Sequence, residues 1–349
     1  MGFKKYLSIF SVLMALNSGC TANNKNYSSK KNVKLNNISC DMLKIKQGGY
    51  NFKACREDLD LKVKKYMNFI TEIKDHGKKY GLDDENYLFY RPNHRLNNYV
   101  LYSLWVAPNF FLPEDFTYKF YRINTDGNHV KKFNENVLFY QSKVDKLDDE
   151  KKNYNKLGYD TYRRASKNYA GSSNPDLTDS LMGYSFYRFV EVVFHESWHA
   201  NVYSKKKRLR DLSIEEAMAT KIGFLLAEDF FKSRGDHNNV RLINLRKKST
   251  MEKSLKIKKL YDSLNELYNS DLSPKKKEYF KNYYFNAKNM DSNNARLLSF
   301  ANYHYYYPLI QKVYKETVSL NEFINIMHNT PYKQEDAVKY LESYIGGKK

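Results

Sequence analysis

His195-Glu196-Ser197-Trp198-His199 is the stretch on which the rest of the chain turns. The eight residues ahead of it, Tyr187-Arg188-Phe189-Val190-Glu191-Val192-Val193-Phe194, are mostly apolar or aromatic and hold neither Gly nor Pro. They predict a buried helix that runs on through the motif. Four residues of helix advance about 400°, so the side chains of His195 and His199 stand on one face, one turn apart. Two neutral imidazoles so placed can share one metal ion. Glu196, beside the first, can take a proton from an attacking water without being a ligand itself. The other account of the same residues is a half-buried helix whose two histidines bond to backbone or carboxylates.

His-Glu-x-x-His on a helix is the signature of zinc proteases, and catalytic zinc takes three protein ligands and leaves one position open. After the basic run Lys205-Lys206-Lys207-Arg208-Leu209-Arg210, a second helix is predicted from Ser213 to about Glu228. Glu216, on its first turn, is the candidate third ligand. Ser213-x-x-Glu216 is equally a capping box, in which the glutamate would bond back to the helix start. Glu215 is the other candidate ligand.

The amino-terminal segment has two lysines, Lys4 and Lys5, then an apolar core from Tyr6 to Leu16 and the small residues Ser18-Gly19 before Cys20. This is the layout of a bacterial signal peptide over residues 1–19, with an apolar core too short to span a bilayer. Ser18-Gly19-Cys20 resembles a lipoprotein processing site, although Asn17 stands where leucine is usual, so soluble export stays open. Residues 20–58 read as a lipidated cysteine and a polar tether, the first half rich in Asn, Lys and Ser. Cys40 and Cys55 remain as a possible pair in an oxidising compartment.

Lys and Arg number 59 against 39 Asp and Glu, a net charge of +20. The basic residues are spread along the whole chain rather than gathered on one element, so no nucleic-acid partner is expected. A solvated exterior accounts for them, with anionic membrane surfaces the partner they would favour.

The folded part is expected over residues 59–349, as one domain or as a core over 59–228 with a helical part over 229–349. Leu59 to Tyr80 has helical spacing and Gly81 beyond it. Tyr99 to Ala107 and Val137 to Gln141 read as strands. Lys143 to Leu157 reads as a polar helix ending at Gly158, and Ala170 to Pro175 as a loop. Beyond these, Val240 to Tyr268, a segment starting at Ser273-Pro274, and Asn294 to Tyr307 read as helices.

In order and spacing these segments resemble a bacterial family of predicted zinc aminopeptidases, exported and commonly lipoproteins. Phe194-His195-Glu196-Ser197-Trp198-His199-Ala200 is similar to its Phe-His-Glu-Leu-Ala-His-Gln, with Tyr203 following. Glu215-Glu216-Ala217-Met218-Ala219 is similar to its Asn-Glu-Ser-Phe-Ala, which puts the ligand role on Glu216. Leu157-Gly158-Tyr159-Asp160, Asn174-Pro175-x-Leu177, Val106-Ala107-Pro108, and Asn294-Ala295-x-Leu297 with Tyr303 and Pro308 resemble further elements. The likeness spans about residues 60 to 325. The chain departs from the family at Ser197-Trp198, at Glu215, and at Phe139-Tyr140-Gln141-Ser142-Lys143, which lacks a glycine.

The resemblance implies an α+β, predominantly helical fold of the glutamate-type zincin class, with the motif helix and a small sheet. Zinc would be held by His195, His199 and Glu216, with Glu196 as general base. Tyr303 or Tyr203 would face the metal as an oxyanion donor, or serve only as a buried structural hydroxyl. The expected substrate is a peptide or protein cut by an aminopeptidase. An endopeptidase, or a hydrolase of cell-wall peptides, is the alternative enzyme. A metal-containing surface lipoprotein that binds a partner is the alternative outside enzymes.

Overall fold

The computed structural model describes residues 42–47, 50–55, 61–82, 89–90, 101–112, 138–141, 144–166, 176–177, 184–204 and 212–346. The segment 1–40, with the expected signal peptide and Cys20, lies outside them, as do Cys40, the Cys55 side chain and the loop expected over 170–175. Within the stretch expected to be tether, β1 (Met42–Gln47) and β2 (Tyr50–Cys55) form an antiparallel hairpin in which Gln47 pairs with Tyr50. Asp41–Lys349 clusters as one compact unit.

Helix α1 (Leu61–Lys78) ends in a turn closed by Gly81, whose φ of 74° is left-handed and suits glycine. A two-residue parallel pair joins β3 (Phe89–Tyr90) to β7 (Asp176–Leu177). The main sheet is antiparallel with order β5-β4-β6, built from β4 (Leu101–Pro108), β5 (Leu138–Gln141) and β6 (Tyr159–Ser166). Leu104 pairs with Phe139 on one side and Arg163 on the other. Leu104, Trp105, Val106 and Ala107 are all buried, as befits a central strand covered on both faces. Strand β6 was not expected, because Tyr-Asp-Thr-Tyr-Arg-Arg-Ala-Ser lacks an apolar alternation; its pairing with β4 makes the strand. The polar helix α2 (Val144–Lys156) packs beside it, with Asp148 accepting from Arg163 at 3.0 Å.

The motif helix α3 (Phe186–Ser204) and α4 (Leu212–Ser233) form the most extensive helix pair. Around them come α5 (His237–Asn269), α6 (Pro274–Asn286), α7 (Asn294–His304), α8 (Tyr307–Glu316), α9 (Leu320–His328) and α10 (Gln334–Glu342). The run expected as one helix from Asn294 to Tyr307 is broken after His304. Pro308 has no N–H for the ladder and sits in the first turn of α8 instead. The apolar interior falls into two clusters. One gathers α1, α3, α4 and α8–α10 around Phe189, Trp198, Phe231 and Tyr307; the other joins β4 to α5, α6 and α7 through Trp105, Leu264, Phe285 and Leu298. No helix among the described residues is long and apolar enough to cross a membrane.

Segments that the family resemblance singled out converge at the end of β4. The Asp160 carboxylate accepts from the Asn294 backbone N–H at 2.7 Å and from Lys281 Nζ at 2.8 Å. The Asn294 amide donates to the carbonyls of Pro108 and Asn109 at 2.8 and 3.0 Å. Its oxygen accepts from Tyr268 at 2.8 Å. Asn294 is wholly buried, so these residues tie β4, β6, α5, α6 and α7 together and have a structural role.

Candidate metal centre

Helical spacing on α3 does what the motif predicts: the Nε2 atoms of His195 and His199 lie 3.2 Å apart. The first turns of α4 bring in Glu216, whose Oε2 is 3.3 Å from His195 Nε2 and 3.6 Å from His199 Nε2. Among the described residues these three form the one group of His, Cys, Asp or Glu side chains able to hold a metal. Glu216 Oε2 is buried and meets no donor in hydrogen-bonding geometry. The capping-box alternative fails here, because Ser213 lies inside α4 and the Glu216 carboxylate is turned to the imidazoles.

Glu215 takes a different position from the one expected of a ligand. Its Oε1 is 2.8 Å from His199 Nδ1, the nitrogen on the far side of the ring from Glu216, and the residue is 2 % exposed. The close approach of α4 to α3 depends on Gly223, where a Cβ would fall 2.8 Å from the Glu191 carbonyl oxygen and 3.2 Å from His195 Cβ.

The electrostatics are those of a cation site. Burial pushes the Glu216 carboxyl up, but the two imidazoles outweigh it and hold the group well below the usual carboxylate range. Burial likewise pushes His199 down, and Glu216 and Glu215 outweigh it, raising the ring well above its ordinary value. Burial raises the Glu196 carboxyl, partly offset by the two histidines. One turn ahead of His195, the buried Glu191 carboxylate is held by Arg188 and by Arg246 Nε of α5 at 2.7 Å. Lys247 of α5 donates to Glu228 of α4 at 2.5 Å. Arg246 and Lys247 of α5 therefore brace α3 and α4.

The two middle residues of the motif are structural. Ser197 Oγ donates to the Val193 carbonyl, and the buried Trp198 packs its ring 4.6 Å from that of His328 on α9. Tyr303 lies on α7 with the Arg164 guanidinium of β6 4.7 Å over its ring. The described contacts do not bring it to the three ligands. The side chain of Tyr203 lies outside the described residues.

The geometry fits a metal. Ligand atoms about 2.0–2.2 Å from a common tetrahedral centre lie about 3.3–3.6 Å from one another. The three separations here, 3.2, 3.3 and 3.6 Å, match that spacing. A buried carboxylate oxygen without a hydrogen bond is the remaining sign that something else is to be bound. Sequence reasoning missed the roles of Glu215 and Gly223. An acid was visible beside Glu216, but not which ring nitrogen it would reach.

A family model described as "Putative aminopeptidase" matches residues 139–289. The match begins in β5, includes α3 and α4 with all three candidate ligands, and ends just past α6. No curated protein and no solved structure matches the chain. The likeness supports a peptidase function.

Proposed function

We propose that this chain is a zinc-dependent peptidase of the glutamate-type zincin class, acting as an aminopeptidase. The observation that carries the proposal is the set of separations among His195 Nε2, His199 Nε2 and Glu216 Oε2, which suits one tetrahedral ion. A zinc ion held by these residues would polarise a peptide carbonyl and make a water acidic near neutral pH. Glu196, next to His195 in α3 and raised by burial, takes the proton of the attacking water and returns it to the leaving amine. The match to an aminopeptidase family favours exopeptidase action. Glu215 does not supply the acid that would hold a substrate amino group, since its carboxylate is buried against His199. Tyr303, expected as the oxyanion donor, has the Arg164 guanidinium over its ring and is given no role in the proposed mechanism.

The test is hydrolysis of aminoacyl and internally quenched peptides, with and without chelator. Glu196→Gln should keep its zinc and lose at least about 10²-fold in kcat/KM, the lower range for a general base. Loss of zinc in that variant, or no hydrolysis by wild type across a broad panel, would overturn the proposal. We also propose an envelope location, with residues 1–19 removed and lipid on Cys20. Detergent extraction of wild type and release by Cys20→Ser would support it; an equally membrane-bound variant would not.

A further inference from the structure

Glu215 and Glu216 are neighbours on α4, yet they address opposite nitrogens of the same ring. Glu216 Oε2 faces His199 Nε2 at 3.6 Å, while Glu215 Oε1 meets His199 Nδ1 at 2.8 Å. An ionised carboxylate accepts hydrogen bonds and cannot donate one. Nδ1 thus faces an acceptor in Glu215, while Nε2 faces His195 and Glu216. A carboxylate buried to 2 % exposure is costly to keep without a partner, so the position of Glu215 is a built feature and not a surface accident.

We infer that Glu215 is a positioning residue for the metal centre: it grips His199 from behind and delivers Nε2 to the ion. The inference rests on the metal-site reading proposed above. It explains why two consecutive glutamates open α4, one on each side of a single imidazole. It also explains why Glu215 is buried although it is not a ligand. Outer partners of this kind orient a histidine and raise its basicity, and losing one costs about 10- to 100-fold in metal affinity.

Three proteins decide the matter: wild type, Glu215→Gln and Glu215→Ala, each full-length and stripped of metal. Zinc is titrated against a chromophoric chelator, and the His199 Nδ1 proton is followed by NMR in the metal-free state. Wild type should bind zinc and show a slowly exchanging downfield Nδ1 proton. Glu215→Gln, which keeps an acceptor oxygen but loses the charge, should weaken zinc by about 10-fold and retain the proton signal. Glu215→Ala should weaken it by about 10- to 100-fold and lose the signal. Variants that bind zinc within twofold of wild type would overturn the inference. So would a Glu215→Ala protein that melts earlier but keeps the Nδ1 signal, for then the residue merely supports the helix. Wild type that takes up no zinc would overturn the metal-site reading itself. Should the Ala variant fail to fold, the Gln titration alone decides, unchanged affinity counting against the inference.

Discussion

Gly223 on α4 and His195 on α3 are held so close that a single added methyl would sit 3.2 Å from the His195 Cβ and 2.8 Å from the Glu191 carbonyl oxygen. Seven residues of helix are about 20° short of two turns, so Gly223 and Glu216 share the face of α4 that meets α3. Gly223→Ala should therefore push the helices apart where the ligands converge. Overpacking of this kind costs about 1–3 kcal/mol. Denaturant unfolding should show that loss, and zinc affinity should fall with it. Unchanged stability and affinity would mean that α4 accommodates a side chain there.

Lys221, on the same helix, is 1 % exposed. Its ammonium donates to Gln311 Oε1 at 2.6 Å and lies 4.2 Å over the Tyr314 ring. Burial, helped by the charge of Lys247, lowers its pKa to about 7. An unfolded lysine titrates near 10.4, so between about 7 and 10.4 the unfolded chain binds more protons and stability rises with pH. The destabilisation is complete below about pH 7. Lys221→Met should thus be more stable than wild type at pH 6, and the gap should narrow by pH 10. A gap independent of pH, measured by urea unfolding, would show that Lys221 keeps its charge throughout.

Asn294 belongs to the structural junction and not to the site. Asn294→Ala would leave the Tyr268 hydroxyl and the Pro108 and Asn109 carbonyls short of a partner. Stability should fall by about 2–4 kcal/mol, the scale of a few unmade buried hydrogen bonds. The folded fraction should still bind zinc as wild type does. A stable variant that loses zinc or activity would place Asn294 in the catalytic machinery instead.

The site was more legible in the sequence than the sheet. Helical spacing alone brings His195 and His199 together, and the acid on the next helix reaches them, so two local patterns were enough. Strand β6 carries Arg163 and Arg164 and no apolar alternation, and only its partner β4 reveals it. The hairpin Met42–Cys55 is short and lysine-bearing and lies in a stretch read as a polar tether. Which nitrogen Glu215 would reach could not be read from sequence. It depends on where α4 lies against α3, and that depends on Gly223, a residue with no chemistry of its own.

The central claim is that His195, His199 and Glu216 together hold one zinc ion. Elemental analysis of the purified full-length protein, loaded with zinc and dialysed, tests it most directly. The account predicts one zinc per chain in wild type and in Glu196→Gln, and little or none in His195→Ala, His199→Ala and Glu216→Gln. Wild type without bound zinc, or a Glu216→Gln protein that keeps a full complement while Glu196→Gln loses it, would contradict the account.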